Sequence, residues 1–268
     1  MLGRILAVAQ NTRREAYRNR AFTVLLIVGV LLNTVGFVLS NLAEPSQKAR
    51  VIQNFGYFAV SFVSAITAIL IGVILLYKEL DRKTIYTLIP KPVMRYEIVL
   101  GKFLGLGQLL FGLVIFLAIG WVGVMWLFDA LVVNSQSVLD SVGAAVFLVL
   151  LEALIVTSIA LMFSGWTRPF LSGVFSFLFF VTGRVVFVLE EHLAMTKGPL
   201  SADGPLRQLV EIIVYVVPDL SVFNISREIA LGIPVPGHYL WSASAFAGCY
   251  ILVFLGIGIV LFGRRDFV

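Results

Sequence analysis

KELDRKTIYTLIPKPVMRYEIVLGK, residues 78–102, is a short basic stretch punctuated by Pro90 and Pro92 and clamped between two long apolar runs. The flanking runs, Phe55–Tyr77 and Phe103–Phe128, contain no ionised residue. A hydrocarbon core of roughly 30 Å needs about 20 apolar residues in helix. Each flanking run is therefore read as a membrane span, and the stretch between them as a loop returned to water. Four further runs have the same character: Ala21–Ser40, Val142–Gly165, Phe170–Leu189 and Leu240–Phe262. The expected fold is an all-α polytopic membrane protein with six transmembrane helices, organised as one membrane domain over residues 1–268.

Composition agrees. Of 268 residues, 60% are hydrophobic and 13% charged, against about 25% charged in soluble domains. The single cysteine, Cys249, excludes an intrachain disulfide and is read as inert packing inside an apolar run. Two histidines, His192 and His238, do not make a metal cluster by themselves. The formal charge of +5 does not point to nucleic acid, because the basic residues follow the membrane topology.

Six crossings place both termini on one side. That side carries Arg4, Arg13, Arg14, Arg18, Arg20, six lysines and arginines of residues 78–102, Arg168, Arg264 and Arg265. The other side carries only Lys48, Arg50, Lys197, Arg207 and Arg227, and Arg184 lies within a span. By the positive-inside rule the richer face is cytoplasmic. Leu2, Ile5, Leu6, Ala9, Ala16 and Tyr17 recur at helical spacing with arginines between them, so residues 1–20 are read as an amphipathic helix on that leaflet. The apolar stretch Leu206–Val217 is too short to cross and carries Arg207 and Glu211. It is read as a re-entrant or interfacial helix within an extracytoplasmic segment, residues 190–239.

Two ionisable residues fall inside spans: Glu152 in the fourth and Arg184 in the fifth. A lone charge at a helix centre costs about 2.5–3.5 kcal/mol on insertion scales, and the two depths differ by roughly one helical turn. Two readings stay open, an interhelical bridge and a polar contact for a solute in the pathway. Gly101-x-x-x-Gly105 and Ser244-x-x-x-Gly248 offer small faces for close helix packing, within one chain or between two. Trp121, Trp126, Trp166 and Trp241 lie toward span ends, as interfacial anchors do.

Catalytic chemistry finds little support. The only Gly-Lys pair, Gly101-Lys102, runs into Phe103 and a span, so no phosphate-cradling loop exists. Glu190-Glu191-His192 lacks a convincing second ligand cluster, and Ser164-Gly165 lacks an intramembrane histidine. An intramembrane protease is the weaker rival class. A channel or scaffold that needs no ATP is the stronger one.

Within residues 78–102, Pro90 and Pro92 break any helix leaving the second span. Val93–Lys102 is expected to restart as helix, with Val93, Tyr96, Val99 and Leu100 on one apolar face that asks for a partner. Glu79, Asp81, Arg82, Arg95 and Glu97 supply charges to fix its register.

Here the chain resembles a known family. Glu79…Thr84, then Leu88-Ile89-Pro90-Lys91-Pro92-Val93-Met94-Arg95, then Leu100-Gly101-Lys102, is similar to the pattern after the second span of ABC-2 type permeases. The resemblance extends to the basic N-terminal helix, the six spans, the stretch Pro218–Asn224 and the terminal Arg264-Arg265-Asp266-Phe267. Lys83 stands where the family usually has glycine and Pro90 where it has serine. The resemblance implies the membrane subunit of an ATP-binding-cassette exporter in the cytoplasmic (inner) membrane. It implies a second permease copy, as a homodimer, and two nucleotide-binding ATPase subunits, which would hold the ATP and magnesium. No cofactor is expected in this chain. Glu79, Arg82, Leu88, Ile89, Pro90, Lys91, Pro92, Val93 and Arg95 would form the coupling loop that contacts the ATPase.

Overall fold

In hydrocarbon every backbone N–H and C=O must be satisfied within the segment, so long apolar runs become helices. A computed structural model of the chain describes residues 2–44, 47–81, 94–133, 136–194 and 205–264. The amphipathic helix α1 (Leu2–Tyr17) is followed by α2 (Arg20–Leu42), α3 (Lys48–Asp81), α4 (Arg95–Leu127), α5 (Leu139–Trp166) and α6 (Pro169–Ala194). Then come the short α7 (Pro205–Val216), a 3-10 turn (Leu220–Phe223), α8 (Ser226–Leu231) and α9 (Gly237–Arg264). Six of these, α2 to α6 and α9, are long and apolar enough to cross a membrane. Between α4 and α5, two-residue strands pair antiparallel, Val132 with Ser137 and Val133 with Gln136.

The helix α5 is the axis of the bundle, packed by α3, α4, α6 and α9. Its burial runs all round, from Val142 and Ala145 to Ser164 and Gly165, as a helix enclosed by other helices requires. By contrast α2, α6 and α9 leave apolar faces outward, including Val24, Leu31, Phe187, Leu252 and Val260.

Several helices overrun the expected spans. The helix α3 begins seven residues before Phe55, and Gln53 in its second turn is buried, its Nε2 donating to Ala130 O at 2.8 Å. The helix expected to restart within Val93–Lys102 begins at Arg95 and continues into the third span. One unbroken helix runs from Arg95 to Leu127. Part of the apolar face assigned to a partner is covered by this chain itself: Val99 is buried and Leu100 packs on the core, while Val93 lies outside the described residues. Glu97 is 2% exposed and its carboxylate accepts the Met94 N–H at 3.0 Å, closing the first turn of α4 instead of fixing a partner's register. Lys102 is 1% exposed, and its Nζ donates to Leu75 O at 2.8 Å. A cation at a span boundary is thus turned inward to a carbonyl of the neighbouring helix.

The small-residue faces are now distinguished. Gly101 and Gly105 receive α1: a Cβ at Gly101 would lie 2.6 Å from Val8 Cβ, and one at Gly105 would lie 2.6 Å from Ala9 O and 2.7 Å from Thr12 Cβ. Farther along, Arg13 Nη1 donates to Gln108 Oε1 (3.3 Å) and Tyr17 reaches Gly112. The contacts advance together along both helices, so α1 runs beside the first half of α4 in the same direction. Its buried stripe, Ile5, Ala9, Thr12 and Ala16, faces protein, while Leu2, Leu6 and Tyr17 remain exposed. Gly248, in contrast, has open space where a side chain would start. Cys249 is exposed, not packed. Trp121 is also no interfacial anchor: it is buried, with Nε1 donating to Ile52 O at 3.3 Å, whereas Trp126, Trp166 and Trp241 are exposed.

Gly105→Leu therefore sets a side chain against the α1 backbone, which cannot swing aside as a rotamer can. The variant is expected to lose about 1–3 kcal/mol of stability and to speed tryptic cleavage after Arg13, which is half-buried against α4. Thermal unfolding in detergent with limited proteolysis checks it. An unchanged midpoint together with unchanged protection would refute the docking of α1 on α4.

Candidate functional site

Three helices bring polar groups to one depth in the membrane. Ser61 lies midway along α3, Glu152 midway along α5 and Arg184 past the middle of α6. Arg184 Nε donates to Glu152 Oε1 at 2.7 Å and Nη2 donates to Oε2 at 2.8 Å, a two-point fork on one carboxylate. Ser61 Oγ donates to Glu152 Oε2 at 3.0 Å and is itself approached by Arg184 Nη2. Glu152 is 1% exposed, and its two oxygens are fully engaged. The Arg184 side chain is 23% exposed, with its Cζ 5.5 Å from the Phe180 ring centroid. Its Nη1 makes no hydrogen bond among the described residues. The two expected residues are thus brought together, and one guanidinium edge stays open.

Beside this cluster sits a segment that folds inward. Leu220, Phe223 and Ile229 are fully buried and Ile225 nearly so, packed among α3, α5 and α6. Tyr57, one turn from Ser61 on α3, donates its hydroxyl to Phe223 O at 2.8 Å, and Tyr239 donates to Val222 O. Ser141 Oγ donates to Ile233 O at 3.1 Å. The approach depends on Gly183, next to Arg184: a Cβ there would meet Pro218 O at 2.8 Å and Leu220 Cγ at 2.9 Å. The helix α7, in the expected place, contributes less burial. Ile212, Tyr215 and Val216 are exposed, and Arg207 pairs with Glu211 (3.0 Å) on its polar side. An apolar face with a charged flank suits the membrane interface.

Sequence reasoning missed Ser61 and Tyr57. Their signal was available: Tyr57, Ser61 and Ser64 are polar residues at helical spacing in an otherwise apolar run. Of the coupling-loop residues, Glu79 belongs to the last turn of α3 and Arg95 opens α4. Arg82, Leu88, Ile89, Pro90, Lys91, Pro92 and Val93 lie outside the described residues. The two helices that carry this segment are tied at the Lys102–Leu75 hydrogen bond. His192, at the other end, turns its Nδ1 to Val188 O at 2.8 Å.

The architecture narrows the class to a polytopic bundle with six helices long and apolar enough to cross a membrane. The family model for ABC-2 family transporter proteins matches residues 6–267. No curated protein gives a significant match. Nearly the whole chain is covered, so it belongs to the ABC-2 family: it is a multi-pass membrane permease of ABC transporters, a kind of subunit that associates with an ABC ATPase.

Proposed function

We propose that this permease couples ATP hydrolysis on a separate nucleotide-binding subunit to export of a substrate across the cytoplasmic membrane. It works as a homodimer with two ATPase subunits and has both termini in the cytoplasm. Residues 78–102 receive the push, with Glu79, Arg82, Leu88–Val93 and Arg95 as the contact set. The chain has no nucleotide-cradling motif, so ATP and magnesium are assigned to the partner.

The observation that carries this reading is the buried Lys102 Nζ–Leu75 O bond at 2.8 Å. It joins α3 to α4 near the ends from which the connection leaves. A force on the connection is then delivered to two rigid helices as one body and passed to α5, which both contact. ATP drives such a movement only if its two states interact differently with the connection. Within the bundle, the Glu152–Arg184 fork acts as a strut that keeps α5 and α6 together.

Co-expression with an ATP-binding-cassette subunit and affinity purification test the reading. The unaltered chain is expected to retain the ATPase, and Ile89→Asp with Arg95→Glu to cut its recovery about tenfold or more, as for interface hot spots. Equal recovery with and without the two changes would remove the coupling role from this segment.

A further inference from the structure

Arg14, Arg18 and Arg20 surround a cleft of about 820 Å³ where α1 turns into α2. Among the described residues, Asn11, Asn19 and the carboxylate of Glu15 add to its polar wall. Asn19 accepts the Ala21 N–H at 3.0 Å and so sets the turn that aims Arg18 and Arg20. All three arginines are exposed. The apolar lip of the cleft is Ile74 of α3.

Ile74 also lines a second depression, an almost wholly apolar groove of about 470 Å³ between α3 and α6. Ile66, Leu70 and Ile74 form one wall, and Phe170, Val174 and Leu178 form the other. From Ile74 to Ile66 the groove follows α3 for about 12 Å at 1.5 Å per residue. The candidate spans begin at Arg20 and Pro169 and end at Leu76, so the basic cleft lies at their common boundary and the groove descends from it.

We infer that this pair of sites holds an anionic glycerophospholipid of the adjoining leaflet, its phosphate among Arg14, Arg18 and Arg20 and an acyl chain in the α3–α6 groove. Guanidinium forks match phosphate oxygens, and the almost wholly apolar lining of the groove suits an acyl chain. A second copy of the chain is a poorer occupant. With the cleft on a two-fold axis it would bring the same three arginines, and like charges give the cleft no complement. This site is separate from the Glu152–Arg184 cluster, and its occupancy does not depend on ATP coupling or export.

The test uses the full chain, stripped of lipid in an uncharged detergent. Dioleoyl phosphatidylglycerol, dioleoyl phosphatidylcholine and inorganic phosphate are titrated separately, with bound lipid read by native mass spectrometry and the thermal midpoint recorded. Phosphatidylglycerol is expected to bind and raise the midpoint, phosphatidylcholine to bind far more weakly, and phosphate to do neither. Arg18→Gln with Arg20→Gln should weaken phosphatidylglycerol about 25-fold, at about fivefold per arginine. Gly173→Phe projects into open space on the groove side of α6 and should weaken it without lowering the lipid-free midpoint. Equal binding of the two lipids, or full affinity in either variant, overturns the inference. Stabilisation by phosphate equal to that by lipid would assign the cleft to a free anion and overturn it as well.

Discussion

Glu152→Ala is expected to destabilise the protein by about 3–5 kcal/mol, the usual cost of removing one partner from a buried ion pair. The cost arises on the residue left behind. Arg184 loses both of its forked hydrogen bonds, at 2.7 and 2.8 Å, within a membrane span, where an unpaired charge is costly. Ser61 loses its acceptor at the same time. Arg184→Ala is expected to behave similarly, because Glu152, 1% exposed, would be stranded more deeply still. Thermal unfolding of the full chain in detergent reads both. Glu152→Met with Arg184→Met should recover most of the loss, since a balanced apolar pair leaves no uncompensated charge. The exchange Glu152→Arg with Arg184→Glu separates strut from pathway: recovered folding with recovered transport favours the strut, and recovered folding alone favours contact with the solute. Single variants as stable as the unaltered protein would remove the strut.

Gly183→Val is the other severe change. A Cβ at this position lies 2.8 Å from Pro218 O, and a backbone oxygen cannot be relieved by changing a rotamer. The inward segment must lift from α6, losing the burial of Leu220 and Phe223 and straining the Tyr57–Phe223 hydrogen bond. Overpacking together with a lost buried hydrogen bond amounts to about 2–4 kcal/mol. Hydrogen exchange at residues 220–231 should accelerate well before the long helices respond. Gly173→Ala, directed into open space on the same helix, is the matched control and should leave exchange unchanged. Slow exchange retained in Gly183→Val would show that the segment does not rest on α6.

Much of this was legible beforehand, though unevenly. The six helices and the amphipathic N-terminal helix followed from runs and periods in the chain, which also marked Glu152 and Arg184 as charges within spans without deciding between a bridge and a pathway contact. Periodicity did not reveal that half of the α1 apolar stripe rests on Gly101 and Gly105 and half remains exposed, since a helical wheel does not name its neighbour. Lys102 and Glu97 looked like loop charges for the same reason. Composition marks an ionisable residue near a boundary as water-facing, and only the position of the Leu75 carbonyl or the Met94 amide turns it inward. Trp121 looked like an anchor from its place near a span end, but the missing side chain at Gly56 lets α3 receive its ring.

What the chain alone determined was how many helices cross the membrane and which family they form. Hydrocarbon leaves an apolar run of about 20 residues no other way to satisfy its backbone, and the motif around residues 78–102 is written in consecutive positions. What only the tertiary structure decided was the use of each helix face: Ser61 and Tyr57 joining Glu152 and Arg184, the segment after α7 turning inward, and a basic cleft meeting an apolar groove at Ile74. Those arrangements depend on distances between residues far apart in the chain. Hydropathy and spacing describe each helix singly, whereas contact depends on how the helices are rotated against one another.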